Sequence, residues 1–444
     1  MLLTEKETRE IAEKILSFVK ADDAQVSLQS EKYSHSRFAG NAFLTSGNTV
    51  ERSAGITVWV KGRRGASSTT EFDDASLKAM VERAEQIAAI SPVDREYLPT
   101  LGPQKYKESN AFDASTAEIS LSDRAKKIGE ILRRSEKSGV ISAGFHETRA
   151  TAGGFATKNK NFGFEKRTYA SLSVTARTAD GTSSGYFQRS AVRIKDLDTE
   201  LIAGESIRKA VEGRNARIVE PGPYTVILEP QAVADLLGNF AFQFDARRAE
   251  EGRSPFSASG GKTRLGEKIF DERINILSDP WNALVPASPF AQGGIPAEKI
   301  YLVKNGRLEN LVYSRFWAKE KNVAPTPGPV NLILESNEKP SSFEEMIKST
   351  KKGLLISRFW YIRSTDPRTA SSTGLTRDGV WMIEDGRIAY PVKNFRFNQS
   401  MIQMLSPENV EMIGAAERVG GGNASLLPAL KLKEFNFTSQ SEAV

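Results

Sequence analysis

The sequence predicts an α+β protein: an N-terminal lobe of helices packed on antiparallel sheet, then a C-terminal, largely β domain with few helices. Three observations carry this. Segments of the first 213 residues repeat apolar side chains at three- and four-residue spacing, the helical period. Asp180-Gly181, Asn305-Gly306 and Asp385-Gly386 each separate two strand-like runs, a strong hairpin signal. Residues 223–240 place a short β-branched run directly before an apolar helix face.

Thr4-x-x-Glu7 is a capping box, and Ile11, Ile15 and Val19 continue its helix. Ala24 to Leu28 alternates as a strand. Gly55 to Ala66 reads as a hairpin whose turn lies in Lys61-Gly62-Arg63-Arg64-Gly65. Asp74 or Ser76 caps a second helix with Leu77, Met80, Val81, Ala84, Ile87 and Ala88 inward, and Pro92 ends it. Residues 92–117 lack periodicity and read as a connection, a possible sub-boundary. Ser122 caps a third helix with Ala125, Ile128, Ile131 and Leu132 inward. Residues 139–195 form a meander, with strands at Ser171–Ala176 and Tyr186–Ile194 around Asp180-Gly181. A fourth helix, Thr199 to Gly213, buries Leu201, Ile202, Ile207, Ala210 and Val211.

Pro221-Gly222-Pro223 is the strongest punctuation, so domains are expected at 1–221 and 222–436, with a polar, frayed tail at 437–444. Tyr224 to Leu228 reads as a buried strand. Pro230 suits the first position of a helix, and Val233, Leu236, Leu237 and Phe240 make one apolar face. Asp245 to Lys262 reads as a mobile polar loop. Lys299–Val303 and Leu308–Arg315 flank a hairpin turn. Residues 321–340 are proline-rich and extended, Ser342 to Lys348 is a short helix, and Leu354 to Arg363 is a strand. Val380–Glu384 and Arg387–Val392 form the last hairpin.

The chain has 444 residues, 39% hydrophobic and 26% charged, as in soluble globular proteins of two or three domains. A net charge of +6 over this length, without a dense Lys/Arg run, predicts a mixed solvated surface and no direct nucleic-acid contact. The absence of cysteine excludes disulfides, thiolate metal sites and cysteine nucleophiles, and fits a reducing cytoplasm. The first residues lack a signal-peptide pattern, and no apolar run approaches the ~20 residues that span a bilayer, so no membrane partner is expected.

Several chemical strings have plainer explanations. His146-Glu147 has no second His at i+4 and lies in a strand-like run, which predicts a surface or hydrogen-bonded histidine. Gly181-Thr182-Ser183-Ser184-Gly185 matches a nucleophile elbow but sits past a hairpin turn instead of before a helix. Ser259-Gly260-Gly261-Lys262 lacks companion motifs, and Gly261-Lys262-Thr263 lacks the upstream glycine of a phosphate loop. Two readings of Leu354 to Arg363 stand side by side. By alternation Arg358, Trp360 and Ile362 face one side, with Phe359, Tyr361 and Arg363 on the other. The strand lines a peptide cleft, with Arg358, Trp360, Tyr361 and Arg363 binding substrate, or it is half-buried with snorkelling arginines.

Four stretches resemble the TldD/PmbA (TldD/TldE) family. Ser36-Arg37-Phe38-Ala39-Gly40-Asn41 with Gly55 to Ala66 resembles its N-terminal R-x-x-x-N element and glycine hairpin. Residues 223–240 resemble the start of its C-terminal domain. Gly353 to Arg363 resembles its G-L-L-h-T-R-x-W-Y-I-R strand, and Gly379 to Val392 its G-x-h-I-E-N-G-x-I-x-x-P-V hairpin. In the catalytic TldD branch the helix carries His-Glu-x-x-x-His, two zinc ligands and a general base, and a late cysteine completes the site. Aligning the shared Ala-Val pair on Ala232-Val233 puts Pro230, Gln231 and Asp235 at those positions, and Gly420-Gly421-Gly422 lacks the cysteine.

The resemblance therefore implies the TldE/PmbA-like branch: no catalytic or metal residue in this chain and no cofactor of its own. It also implies zinc in a TldD-like catalytic subunit, and unfolded or extended peptides as substrate of the assembled peptidase. Whether this chain is itself an enzyme stays open. Two other classes remain: a self-sufficient hydrolase with a rebuilt active site, and a regulatory binding protein of the gyrase-modulator type.

Overall fold

A capping box opens the chain. Thr4 Oγ1 accepts the Glu7 N–H while the Glu7 carboxylate accepts the Thr4 N–H, starting α1 (Glu5–Ser17). The computed structural model describes residues 1–238 and 240–442. β1 (Asp23–Ala39), β2 (Ala42–Val60) and β3 (Arg63–Thr69) follow as an antiparallel meander. Its second turn is Lys61-Gly62, both at positive φ. α2 (Asp74–Ile90) is capped by Asp73, one residue earlier than expected. It lies so close to β3 that a Cβ on Gly65 would sit 2.0 Å from the Ala84 carbonyl oxygen. That approach narrows the buried stripe to Leu77, Met80, Val81, Ala84 and Ala88. Ile87, expected inward, is 39% exposed.

The 92–117 connection runs across to the second half, where the Tyr106 hydroxyl donates to Gly294 O at 2.7 Å. After α3 (Ala114–Ala117), α4 (Leu121–Lys137) is capped by Ser120, not Ser122. β4 (Val140–Thr157), β5 (Phe162–Thr178) and β6 (Ser184–Ala191) complete a six-stranded sheet of order β3-β2-β1-β4-β5-β6. α5 (Thr199–Glu212) starts on Asp198, which leaves Leu201 in the first turn, exposed instead of inward.

The helices cover one face of this sheet and bury three apolar clusters. His146 is on that covered face, 1% exposed, and neither ring nitrogen has a hydrogen-bond partner among the described residues. The expected surface or hydrogen-bonded histidine is thus a buried neutral one. Burial, and then Arg124 and Lys127, push its pKa down to about 3. The opposite face is polar. Glu147, Arg149 and Thr151 of β4 lie beside Arg167 and Tyr169 of β5, with Tyr186, Gln188 and Ser190 of β6 beyond.

The second half begins with β7 (Gly222–Leu228) and α6 (Pro230–Leu237). Residues 245–262 are not the loose loop expected. They build α7 (Ala246–Glu250) and part of a two-residue ribbon, β8 (Ser257–Ala258) with β9 (Lys262–Thr263), anchored by fully buried Phe256. β10 (Ile274–Ser278), β11 (Ile300–Lys304) and β12 (Arg307–Leu308) follow, the last two turning at Asn305-Gly306. The expected strand to Arg315 stops at Leu308, and α8 (Arg315–Lys321) starts there. The extended stretch includes β13 (Ile333–Ser336), and α9 (Phe343–Lys348) carries a second capping box. β14 (Lys352–Asp366), β15 (Ser371–Glu384), β16 (Arg387–Pro391), β17 (Phe395–Ser400), α10 (Met401–Met404), β18 (Val410–Val419) and β19 (Ser425–Gln440) end the chain's regular structure.

The frayed tail expected at 437–444 is instead, up to Gln440, the end of β19, with Phe437 1% exposed. Ala443 and Val444 lie outside the described residues. Five strands of the eleven-stranded sheet close on themselves. β7 pairs with β14 in parallel and with β19 antiparallel, and β19, β17, β15 and β14 are successive neighbours. Phe359, Phe395, Phe397, Phe435 and Phe437 pack ring on ring in the core of this closure. Helices on an antiparallel sheet followed by a β-rich half with few helices is the α+β architecture expected.

Candidate functional site

α6 joins the two halves. Its N-cap Glu229 is extended, and Pro230 fills the first helical position, where a missing N–H costs nothing. The Glu229 carboxylate accepts from Lys209 Nζ of α5 at 2.6 Å and from Ser357 Oγ of β14 at 3.1 Å. Lys209 is 1% exposed, so this ion pair is a buried tie between α5 and α6. Ala232, Val233, Leu236 and Leu237 point into the core as the spacing predicts, and Phe240 joins them from a following 3-10 turn.

The other face of α6 carries Gln231 and Asp235. Gln231 Nε2 donates to Asp235 Oδ1 at 2.8 Å, and the Phe359 N–H donates to Asp235 Oδ2 at 2.9 Å. Gln231 Oε1 is buried with no partner among the described residues. Burial lifts the Asp235 carboxyl to about 6, against the opposing pull of Arg358.

Arg358 is half-buried. Its guanidinium lies 3.9 Å over the Tyr186 ring and 3.5 Å from Asp378 Oδ2. Asp378 is 4% exposed, at positive φ, and accepts from Ser184 Oγ of the first sheet at 2.6 Å. Burial holds the Tyr186 hydroxyl up at about 12 despite Arg358. The Ser183-Ser184 turn is therefore a docking contact. Strict alternation along β14 fails next. The register shifts between Trp360 and Arg363, and Tyr361 takes φ 56°, so consecutive Trp360 and Tyr361 both reach the surface. Arg377 stacks 3.7 Å over Trp360, and Arg363 lies 4.6 Å over Tyr361. Of the four expected peptide contacts, Trp360, Tyr361 and Arg363 are together at the surface and Arg358 is half-buried against Tyr186 and Asp378.

Beyond the C-terminal end of α6 a cavity of about 500 Å³ opens between the polar face of the first sheet and the second half. Arg149, Arg167 and Tyr169 form one wall, and Arg418 of β18 another. Val285, Pro286, Ala287 and Leu332 supply an apolar side. Gly422 presses on the Tyr169 ring, where a Cβ would lie 2.6 Å from a ring carbon. Burial and Glu147 raise the Tyr169 hydroxyl to about 12. No sequence motif singles these residues out as a site. Their signal is two-residue spacing, Glu147-x-Arg149-x-Thr151 and Arg167-x-Tyr169, which puts charge on one face of a meander.

Zinc takes three or four N, S or O ligands. Pro230 offers no side-chain donor, Gln231 offers a neutral amide, and both Asp235 oxygens already accept hydrogen bonds. This donor set does not fit zinc. Among the described residues no group of three or more His, Cys, Asp or Glu is placed to hold a metal ion.

A metallopeptidase-related class fits this architecture and helix. The family model of the PmbA/TldA metallopeptidase C-terminal domain matches residues 221–439, and that of PmbA/TldA metallopeptidase domain 1 matches residues 24–88. The chain belongs to the TldD/PmbA family. It is 27% identical over 239 residues to a metalloprotease of Methanothermobacter thermautotrophicus, covering 51% of this chain and 50% of that protein. The match thus spans about half the length of that relative. Metalloprotease PmbA of Escherichia coli O157:H7 is 24% identical over 391 residues, with 81% and 80% coverage. TldE of Thermococcus kodakarensis has the same fold, with a TM-score of 0.86 at 17% identity over 97% of this chain and 99% of that one. A protein described as a putative modulator of a DNA gyrase, from Thermotoga maritima, superposes with a TM-score of 0.85 at 18% identity, covering 97% and 100%. Among the described residues no helix is long and apolar enough to cross a membrane.

Proposed function

We propose that this chain is a TldE-like, non-catalytic subunit that works in the cytoplasm beside a TldD-like, zinc-bearing protein in the proteolysis of unfolded peptides. The observation that carries the reading is α6, where Pro230, Gln231 and Asp235 occupy the motif positions and the Asp235 carboxylate is engaged by its own protein. A metallopeptidase attacks with a water whose pKa the zinc lowers to about 7. In this reading that step belongs to the partner. Residues 1–221 and 222–436 act here as two domains framing a cleft, held in register by Lys209–Glu229 and Ser184–Asp378. Trp360, Tyr361 and Arg363 contact extended peptide at its rim.

The test is hydrolysis of an unstructured peptide by this chain, by a TldD-like protein from the same source, and by the two mixed. Cleavage is expected from the mixture and not from this chain alone. A TldD-like protein equally active with and without this chain sinks the partner role. Chelator-sensitive cleavage by this chain alone sinks the non-catalytic role.

A further inference from the structure

The cavity past α6 gathers three guanidinium groups, of which only Arg149 has an ion-pair partner among the described residues. Arg149 and Arg167 are near-neighbours on one face of β4 and β5, because Arg149 pairs with Tyr169 and Thr151 with Arg167. Arg149 reaches Glu31 at 3.1 Å through Nη1, but its Nε is buried with no partner among the described residues. Arg167 has no ion-pair or hydrogen-bond partner among them. Arg418 is held by neutral groups only, donating from Nη1 to Leu284 O at 2.6 Å and from Nε to Ser190 Oγ at 3.1 Å. No carboxylate lines the cavity among the described residues.

Clustered, partly desolvated guanidinium groups short of counter-charge are costly. Burial, and then Arg167, bring the Arg418 pKa down to about 10. An anion would relieve that cost, and guanidinium binds a carboxylate through two parallel hydrogen bonds. Val285, Pro286, Ala287 and Leu332 add apolar lining, and Arg418 reaches Leu284 O at its edge. Cationic and apolar lining side by side, in about 500 Å³, suits one terminal residue with a greasy side chain.

We propose that this cavity binds the C-terminal carboxylate of an extended peptide whose last residue is apolar, with Arg167 and Arg418 holding the carboxylate and Arg149 beside them. The assignment deepens the peptide-handling reading and rests on it for the longer ligand, while the pocket itself is testable with small probes.

The experiment uses the full chain alone, with N-acetylated tetrapeptides ending in leucine as free acid and as amide, followed by saturation-transfer NMR and calorimetry. A charge-assisted pair predicts a preference for the acid of about tenfold to a hundredfold. The preference should shrink as salt rises and vanish in Arg167→Gln, which removes no hydrogen bond or ion pair among the described residues. Arg418→Lys, which keeps charge but not the fork, should weaken it. An amidated tetrapeptide with an internal aspartate should bind as weakly as the plain amide. Equal binding of acid and amide overturns the proposal, as does equal binding of the internal aspartate or a preference that survives in a natively melting Arg167→Gln. A 20-residue unstructured peptide separates the two readings. If it binds whatever its terminus, substrate handling stands and the pocket assignment falls. If only the tetrapeptide acid binds, the pocket stands and the substrate reading falls.

Discussion

Replacing Asp235 with asparagine tests whether α6 carries a structural carboxyl where its relatives' motif is chemical. The native carboxyl titrates near 6, against an ordinary value of 3.8, because burial disfavours its charge. Between those values the folded chain holds a proton that the unfolded chain has released. The unfolded state then binds fewer protons, so stability falls as pH rises. The fall begins near pH 4 and is complete just above pH 6. Two units at ~1.4 kcal/mol each make it about 3 kcal/mol. Asparagine does not titrate. Its Oδ1 can keep the Phe359 N–H, and its Nδ2 can donate to Gln231 Oε1, now buried without a described partner. Urea unfolding of both proteins at half-unit steps from pH 4 to 8 isolates the effect. The difference, Asp235→Asn minus native, should climb by about 3 kcal/mol up to pH 6 and then stay level. A flat difference refutes the raised carboxyl. A difference that falls with pH means that Arg358 outweighs burial, and the site is then an ion pair.

Burial acts with the opposite sign at His146, which stays neutral when folded, so stability is lost as pH drops below 6.5. His146→Leu should be more stable than the native chain by about 2 kcal/mol at pH 5 and nearly equal to it at pH 8, by the same unfolding measurement. Leu236→Ala should cost about 2–5 kcal/mol in the same assay, and an unchanged midpoint removes α6 from the core. Arg358→Ala uncovers Tyr186 and leaves Asp378 without its nearest cation at that end, so it should lower the melting temperature. Tyr361→Ala, 63% exposed in the native chain, should leave melting unchanged and lower the mixed-subunit cleavage rate. Gly422→Ala should melt several degrees lower, because its Cβ meets the Tyr169 ring.

Local signals in this chain were read well where one residue type carries one conformation. Asn305-Gly306 and Asp385-Gly386 are turns in which both residues take positive φ, and at Asp180-Gly181 the glycine alone does. The 230–240 core face was legible because it needs only spacing. The errors arose where tertiary partners decide. Phe256 makes an order-bearing anchor of a polar stretch, and Phe437 turns a polar tail into a strand by finding the Phe395–Phe435 cluster. Asp73 and Ser120 took the caps from neighbours equally able to hold them. The bulge at Tyr361 left no local trace in composition, and it moved Tyr361 out beside Trp360. Of the site, the α6 positions were visible. The arginine wall was not, since cross-strand register and a distant β18 bring it together.

The closed ring of β7, β14, β15, β17 and β19 has a consequence for how the molecule is made. Its final stave, β19, leaves the ribosome after the other four, yet Leu430 pairs with Leu228 and Phe437 with both Gly222 and Phe397. Until residues 425–440 emerge, β7 and β17 stand as bare edges beside unsheltered aromatic rings, the kind of surface that recruits chaperones or sticks to its own kind. α6 springs from β7, so the cleft cannot set before the ring does. A nascent chain interrupted anywhere before Ser425 has neither, and quality control meets it as a sticky half-barrel rather than a shortened protein.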